Sequence, residues 1–126
     1  MISDETKPAN SKDLLVWQKG IALAKIVYQL TRTFPPDERF GLVSQIRRAA
    51  VSVPSSIAEG QARHTTGEFN QFISSAEGSV AEFETQMPLS IELGFLQKSA
   101  AADALALLVE LRKMLNALRR TLATRR

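Results

Sequence analysis

The first chemistry to consider is a metal site built on carboxylates of the third predicted helix. Glu77 and Glu84 stand seven residues apart, which places them on one flank of a predicted helix. Carboxylate metal sites in helical bundles combine such glutamates with Glu-x-x-His pairs, whereas His64 is the only histidine. We therefore expect no metal site, and we interpret both glutamates as ion-pair partners or as part of a solvated face.

Nucleophilic catalysis is not indicated by the remaining residues. The chain has no cysteine, and His64 has no companions at a spacing typical of a catalytic triad. The six glycines are scattered, so none forms the Gly-rich loop that cradles phosphates. We expect a protein that is not an enzyme and that needs no cofactor.

Four cations near the end of the chain form what we term the C-terminal basic stripe: Arg112, Lys113, Arg119 and Arg120. Arg112 and Arg119 share one heptad position and the other two share the next, so all four should point away from the core. Such cations either complement the dipole at a helix C-terminus or bind nucleic-acid phosphates. In an oligomer, symmetry would multiply the second effect.

Arg47 and Arg48 present a similar choice. They could pair with carboxylates of the third predicted helix, because residues 69–97 contain acids and no Lys or Arg. Alternatively, they could donate to phosphates, which would position a nucleic acid without reading its sequence. We expect pairing for at least one of them. No aromatic residues are interleaved with these arginines, so base stacking is not predicted.

A column of polar residues lies beside the apolar face of the second predicted helix. We predict a structural polar network that consists of Arg48, Ser52, Glu59, Arg63 and Glu77. Within it, Glu59 and Arg63 have the i, i+4 spacing of a weak helical ion pair.

Four apolar heptads define the helices that position these side chains. They consist of Val16, Gly20, Leu23, Val27, Leu30 and Phe34; Val43, Ile46, Ala50, Val53, Ile57 and Gly60; Phe69, Ile73, Ala76, Val80, Phe83 and Met87; and Ala104, Leu108, Leu111, Leu115, Leu118 and Leu122. A second row on the first helix, formed by Trp17, Ile21, Ala24 and Tyr28, could meet another subunit.

Local signals predict where the helices begin and end. The first begins near Asp13 and ends before Pro35, and the third begins at Thr65 or Thr66 and ends at Gly94. Because the heptad continues past Pro54, we predict one kinked helix there. Short connections then predict an all-α, antiparallel up-down-up-down four-helix bundle.

Length and composition favour one domain. The chain has 126 residues and a net charge of +3, and such a length can bury roughly two thirds of the unfolded surface. We interpret residues 1–12 as a disordered polar tail and residues 13–126 as the domain. No run reaches the roughly 18 uncharged residues of a membrane span, and no secretory signal is evident. We therefore expect no membrane association and a cytoplasmic location.

Several segments resemble the 23S rRNA intervening-sequence protein family, which is related to accessory proteins of diversity-generating retroelements. They are LLVWQKGIALAKIVYQLT, FPPDERFGLVSQIRRAAVSVPSSIAEG, EFNQFISSAEGSVAEFETQ and LGFL. The chain departs from the family pattern at Ser56, where asparagine is usual, at Gly20, where alanine is usual, and at Pro88, where an apolar residue is usual.

The resemblance implies an assembly and a class of partner. Members of known architecture are homopentameric rings of four-helix bundles, and the retroelement accessory members bind nucleic acid and a reverse transcriptase through basic surfaces. We expect a non-catalytic homo-oligomer that binds RNA or DNA through Arg112, Lys113, Arg119, Arg120, Arg47 and Arg48. The alternative is a structural homo-oligomer whose partner is another protein.

Overall fold

The computed structural model describes residues 11–124, and every regular element within them is helical. Helix α1 spans Ser11–Thr31, α2 spans Leu42–Gln61, α3 spans Thr66–Glu92 and α4 spans Lys98–Thr124. A short 3-10 turn, Pro36–Glu38, precedes α2. The all-α prediction is confirmed. The predicted tail falls mainly on residues 1–10, which lie outside the described residues, but its last two positions are the first residues of α1.

The four predicted heptads form one hydrophobic core. All of their residues are buried except Leu30, which is half-buried. Each fully buried Leu, Ile, Val or Phe side chain contributes on the order of 1.5 to 3 kcal/mol relative to an exposed one. The hydrophobic effect therefore accounts for the association of the four helices.

Each helix packs against two others. Helix α1 contacts α2 and α4, and α3 also contacts α2 and α4. Within the described part of the chain, the remaining pairs, α1 with α3 and α2 with α4, have no such contact. The helices therefore surround the core in the order α1, α2, α3, α4.

Helix α2 continues through Pro54, as predicted, and this proline is buried. Gly20 of α1 faces it, because a Cβ atom built on Gly20 would lie only 3.2 Å from the Pro54 Cβ. The absence of a side chain at Gly20 thus allows α1 to approach α2 closely. Helix α3 likewise continues through Pro88, which is exposed.

Two predicted helix ends are confirmed. The Glu68 N–H donates to Thr65 Oγ1 at 3.1 Å, which caps the start of α3. After α3, Gly94 adopts a φ of 78°, and the Phe95 N–H donates to the Ser90 carbonyl at 3.0 Å. A positive φ of this kind is accessible to glycine without steric cost. The centroid of the Phe95 ring lies 5.7 Å from that of the Phe34 ring, and Phe95 thereby packs against the hydrophobic core.

Candidate nucleic-acid interface

Half of the C-terminal basic stripe is engaged in ion pairs with α3. The Arg112 Nε lies 3.5 Å from Glu84 Oε2, and the Arg119 Nε lies 2.9 Å from Glu77 Oε1. Both glutamates are therefore ion-pair partners, one of the two roles considered for them. All four side chains remain partly exposed to solvent. Each ion pair between α4 and α3 therefore contributes only modestly to the stability of the fold.

The other half of the stripe faces solvent. Lys113 and Arg120 are exposed, and neither forms an ion pair with a described residue. They stand one position beyond the two paired arginines on α4, which turns them away from α3. Only these two members of the stripe retain a free charge toward solvent.

Arg47 is held against α1. Its Nε donates to Thr31 Oγ1 at 2.9 Å, and its Nη2 donates to the Tyr28 carbonyl at 3.4 Å. The guanidinium also lies 4.4 Å from the centroid of the Tyr28 ring, a cation–π geometry. These contacts fix the orientation of the guanidinium beside the surface of α2.

Arg48 follows on α2 and is exposed. The prediction that Arg47 or Arg48 pairs with a carboxylate of α3 is wrong, because neither has an acidic partner among the described residues. Glu84 and Glu77 of α3 instead form ion pairs with arginines of α4. Among the described residues, no carboxylate therefore neutralises the positive charge of Arg47 or Arg48.

Both arginines line a surface cleft between the end of α1 and the start of α2, which we term the arginine cleft. Its volume is about 490 Å³, which lies in the range of small-ligand sites. It is lined by Tyr28, Arg39, Phe40, Val43, Ser44, Arg47, Arg48 and Val51. Three arginines thus line one cleft, and no Asp or Glu residue is among its lining residues.

Aromatic rings stand directly beside these guanidinium groups. Tyr28 stacks with Arg47, as described above, and the Arg39 guanidinium lies 5.7 Å from the centroid of the Phe40 ring. Phe40 is 89% exposed, the largest fraction among the large hydrophobic residues described. Packing thus places aromatic rings beside these arginines, although no aromatic residue is interleaved with Arg47 and Arg48 in the sequence.

The missed residues had only weak signals in the sequence. Phe40 directly follows Arg39, but an isolated exposed phenylalanine in a short loop is common. Tyr28 belongs to the second apolar row that is predicted for the first helix. Its proximity to Arg47 results from the packing of α1 on α2 and cannot be inferred from spacing along the chain.

The residues of the predicted polar network contact different partners. Ser52 donates to the Ala49 carbonyl at 2.8 Å and to the Ser79 hydroxyl of α3. The Arg63 guanidinium lies 4.6 Å from the centroid of the Phe72 ring. Ser52 thus joins α2 to α3, whereas Arg63 lies in the connection after α2 and contacts α3 at Phe72.

The other three network residues are also dispersed. Glu77 pairs with Arg119 of α4, and Arg48 lines the arginine cleft. Glu59 is exposed. Ser52 and Glu77 thus contact residues outside the predicted network, and Arg48 lies at the arginine cleft.

A second, more apolar depression continues from the arginine cleft along α1 and α2. This α1–α2 groove has a volume of about 260 Å³ and is lined by Trp17, Ile21, Ala24, Val51, Pro54, Ser55 and Ala58. Ile21 is 45% exposed and Val51 is 40% exposed. Most of the second apolar row of α1 thus lies in or beside a groove on the outside of the molecule.

Between residues 11 and 124, no group of three or more His, Asp or Glu side chains is arranged to hold a metal ion. In the same region, no helix is both long enough and apolar enough to cross a membrane.

Comparison with known families gives one clear result. The family described as 23S rRNA-intervening sequence protein matches residues 12–117. This range includes the arginine cleft and the α1–α2 groove, together with Arg112 and Lys113, but ends before Arg119. No curated protein matches the chain.

Proposed function

The chain belongs to the 23S rRNA-intervening sequence protein family, and from this premise we propose that it is a non-catalytic, self-associating protein that binds RNA or DNA. The observation that carries the proposal is the arginine cleft, which Arg39, Arg47 and Arg48 line together and whose lining includes no Asp or Glu. Phosphate groups are the ligands that such clusters recognise best, through charge-assisted hydrogen bonds.

The cations differ in how well they can serve this role. Arg47 is oriented by Thr31 and Tyr28, so it loses little conformational entropy when it contacts a phosphate. Arg48, Lys113 and Arg120 are exposed. Arg112 and Arg119 already pair with glutamates, and we assign them chiefly to the stability of the fold.

We further infer that the helices alternate in direction, as in an antiparallel up-down-up-down bundle. Contacts between neighbouring helices support this inference, because the later residue on one helix meets the earlier residue on the next. Arg112 contacts Glu84 whereas Arg119 contacts Glu77. Gly60 lies near the end of α2, and a Cβ on it would lie 2.7 Å from the Cδ1 of Phe69, which lies near the start of α3.

Self-association is proposed to use the α1–α2 groove, in a homopentameric ring. The supporting observation is the half-exposed apolar row that borders the groove on α1, since solvent exposure of such a row is unfavourable. Within this row, Ile21 is 45% exposed and Tyr28 is 42% exposed. A ring would repeat the arginine cleft around its symmetry axis and would raise the affinity for a long polyanion.

Binding to labelled RNA and DNA at low ionic strength, followed by fluorescence anisotropy, tests the nucleic-acid proposal. The Arg39→Glu, Arg48→Glu double variant reverses two cleft charges. The matched control is Lys25→Glu, Arg32→Glu, which reverses two exposed cations outside the cleft. We expect the cleft variant to bind at least about tenfold more weakly than the control.

Two results would contradict this assignment. If both double variants lose affinity equally, the cleft has no special role and binding is diffuse. If the wild-type protein binds no nucleic acid at low salt, the alternative of a structural homo-oligomer with a protein partner is favoured.

A further inference from the structure

Resting on the proposed function, we infer that the arginine cleft takes an unpaired nucleotide of a single strand, with its base stacked on Phe40 and its phosphates on the arginines. The inference comes from the combination of surfaces in the cleft. A site for phosphate alone requires cations, whereas this lining also contains two aromatic rings and two valines. The ligand must therefore offer an apolar, planar group as well as negative charge.

Phe40 is well placed to be the stacking platform. It lies between the 3-10 turn and α2, and 89% of its surface is exposed. A phenyl ring packs on any base, because every base has a π-face. Arg39, whose guanidinium lies 5.7 Å from the ring centroid, adds a cation close to where the sugar-phosphate chain would enter.

Arg47 and Tyr28 form a rigid second part of the site. The Arg47 guanidinium is held by the hydrogen bond to Thr31 at 2.9 Å and by the Tyr28 ring at 4.4 Å. Its charge is not cancelled by these neutral partners. Arg48 and the exposed hydroxyl-bearing residue Ser44 border the same cleft and supply further donors.

Single-stranded nucleic acid fits this arrangement better than a duplex does. In a duplex the base faces are stacked on one another and only phosphates and groove edges are accessible. A duplex could contact the three arginines but would leave Phe40 exposed. An unpaired nucleotide can place its phosphate on the arginines and its base on Phe40, within a cleft of about 490 Å³.

The test compares a short labelled oligo(dT) strand with the same strand annealed to oligo(dA), and oligo(U) with its RNA duplex. The variants are Phe40→Ala and Phe40→Trp, with Val109→Ala as the control, because Val109 is an exposed apolar residue on α4 outside the cleft. Circular dichroism checks that each variant is folded, which is expected since Phe40 is almost fully exposed.

We expect wild-type protein to prefer the single strand. Phe40→Ala should weaken single-strand binding by about fivefold to a hundredfold, with little effect on duplex binding, while Phe40→Trp and Val109→Ala should retain affinity. Equal or tighter binding of the duplex would overturn the inference, as would unchanged single-strand binding by Phe40→Ala. The proposed function would survive either result if the Arg39→Glu, Arg48→Glu variant still lost binding.

Discussion

The Arg119 guanidinium links α4 to α3 through its contact with Glu77, at 2.9 Å between Nε and Oε1. The same guanidinium donates from Nη2 to Asn116 Oδ1 at 2.8 Å, which orients it for the ion pair. One heptad earlier on α4, Arg112 makes the corresponding contact with Glu84. Heptad-spaced acids on one helix are thus matched by heptad-spaced arginines on its neighbour.

We predict a small but measurable coupling between Arg119 and Glu77. A double-mutant cycle with Arg119→Ala and Glu77→Ala, measured by urea unfolding, should give a coupling of about 0.2 to 1 kcal/mol, which decreases at high salt. Lys113→Ala is the control, because Lys113 is exposed and unpaired among the described residues. A coupling of zero at low salt would contradict the structural role.

Gly60 allows close contact between α2 and α3. A Cβ at this position would lie 2.7 Å from Phe69 Cδ1 and 2.9 Å from Phe72 Cβ. Gly60→Ala should therefore destabilise the protein by about 1 to 3 kcal/mol, although alanine favours helix by up to about 1 kcal/mol. Thermal and chemical unfolding measure this change.

Gly78 provides the matched control for Gly60. It also lies within a helix, but a Cβ there would meet no atom within 4 Å. Gly78→Ala should therefore stabilise the protein, by up to about 1 kcal/mol. If both substitutions stabilise, the packing of α2 on α3 is looser than the structure indicates.

The salt dependence of nucleic-acid binding should separate the two basic surfaces. Each cation that contacts a phosphate contributes about one unit to the slope of log affinity against log salt concentration. Replacing Arg39 and Arg48 by glutamine should reduce the magnitude of this slope. The same replacement at Lys113 and Arg120 measures how much the solvent-facing part of the stripe contributes to it. An unchanged slope in both variants would show that neither surface contacts phosphates.

Self-association through the α1–α2 groove should be sensitive to charge on the exposed row of α1. Light scattering coupled to size exclusion should give a mass about five times that of the 13.9 kDa chain, as a pentamer requires. Ile21→Glu should reduce this mass, whereas Val109→Glu, which alters a similarly exposed apolar residue on α4, should not. A wild-type mass near 13.9 kDa would exclude the ring.

Much of the fold could be predicted because helix formation leaves a local record in the sequence. The heptads predicted most of the buried positions on the four helices, since apolar side chains three and four residues apart share one helical face. Thr65 and Gly94 marked helix ends through the backbone groups that they cap or the φ value that they permit.

The candidate site was predicted only in part. Arg47, Arg48, Lys113 and Arg120 were identified as cations that could bind phosphate, and the structure leaves all four without an acidic partner among the described residues. The pairing of Arg112 and Arg119, and the aromatic neighbours of the cleft arginines, were not foreseen. The glutamates and Tyr28 lie on other helices than their arginine partners, whereas Phe40 directly follows Arg39.

The sequence by itself therefore determined that this chain forms four amphipathic helices around one core, because periodicity and capping act within a few residues. Only the tertiary structure decided that Glu77 pairs with Arg119 and that Tyr28 and Phe40 join Arg39, Arg47 and Arg48 in one cleft. Those contacts depend on which helices are neighbours and on how each is rotated about its axis. Both are set by the packing of the whole core.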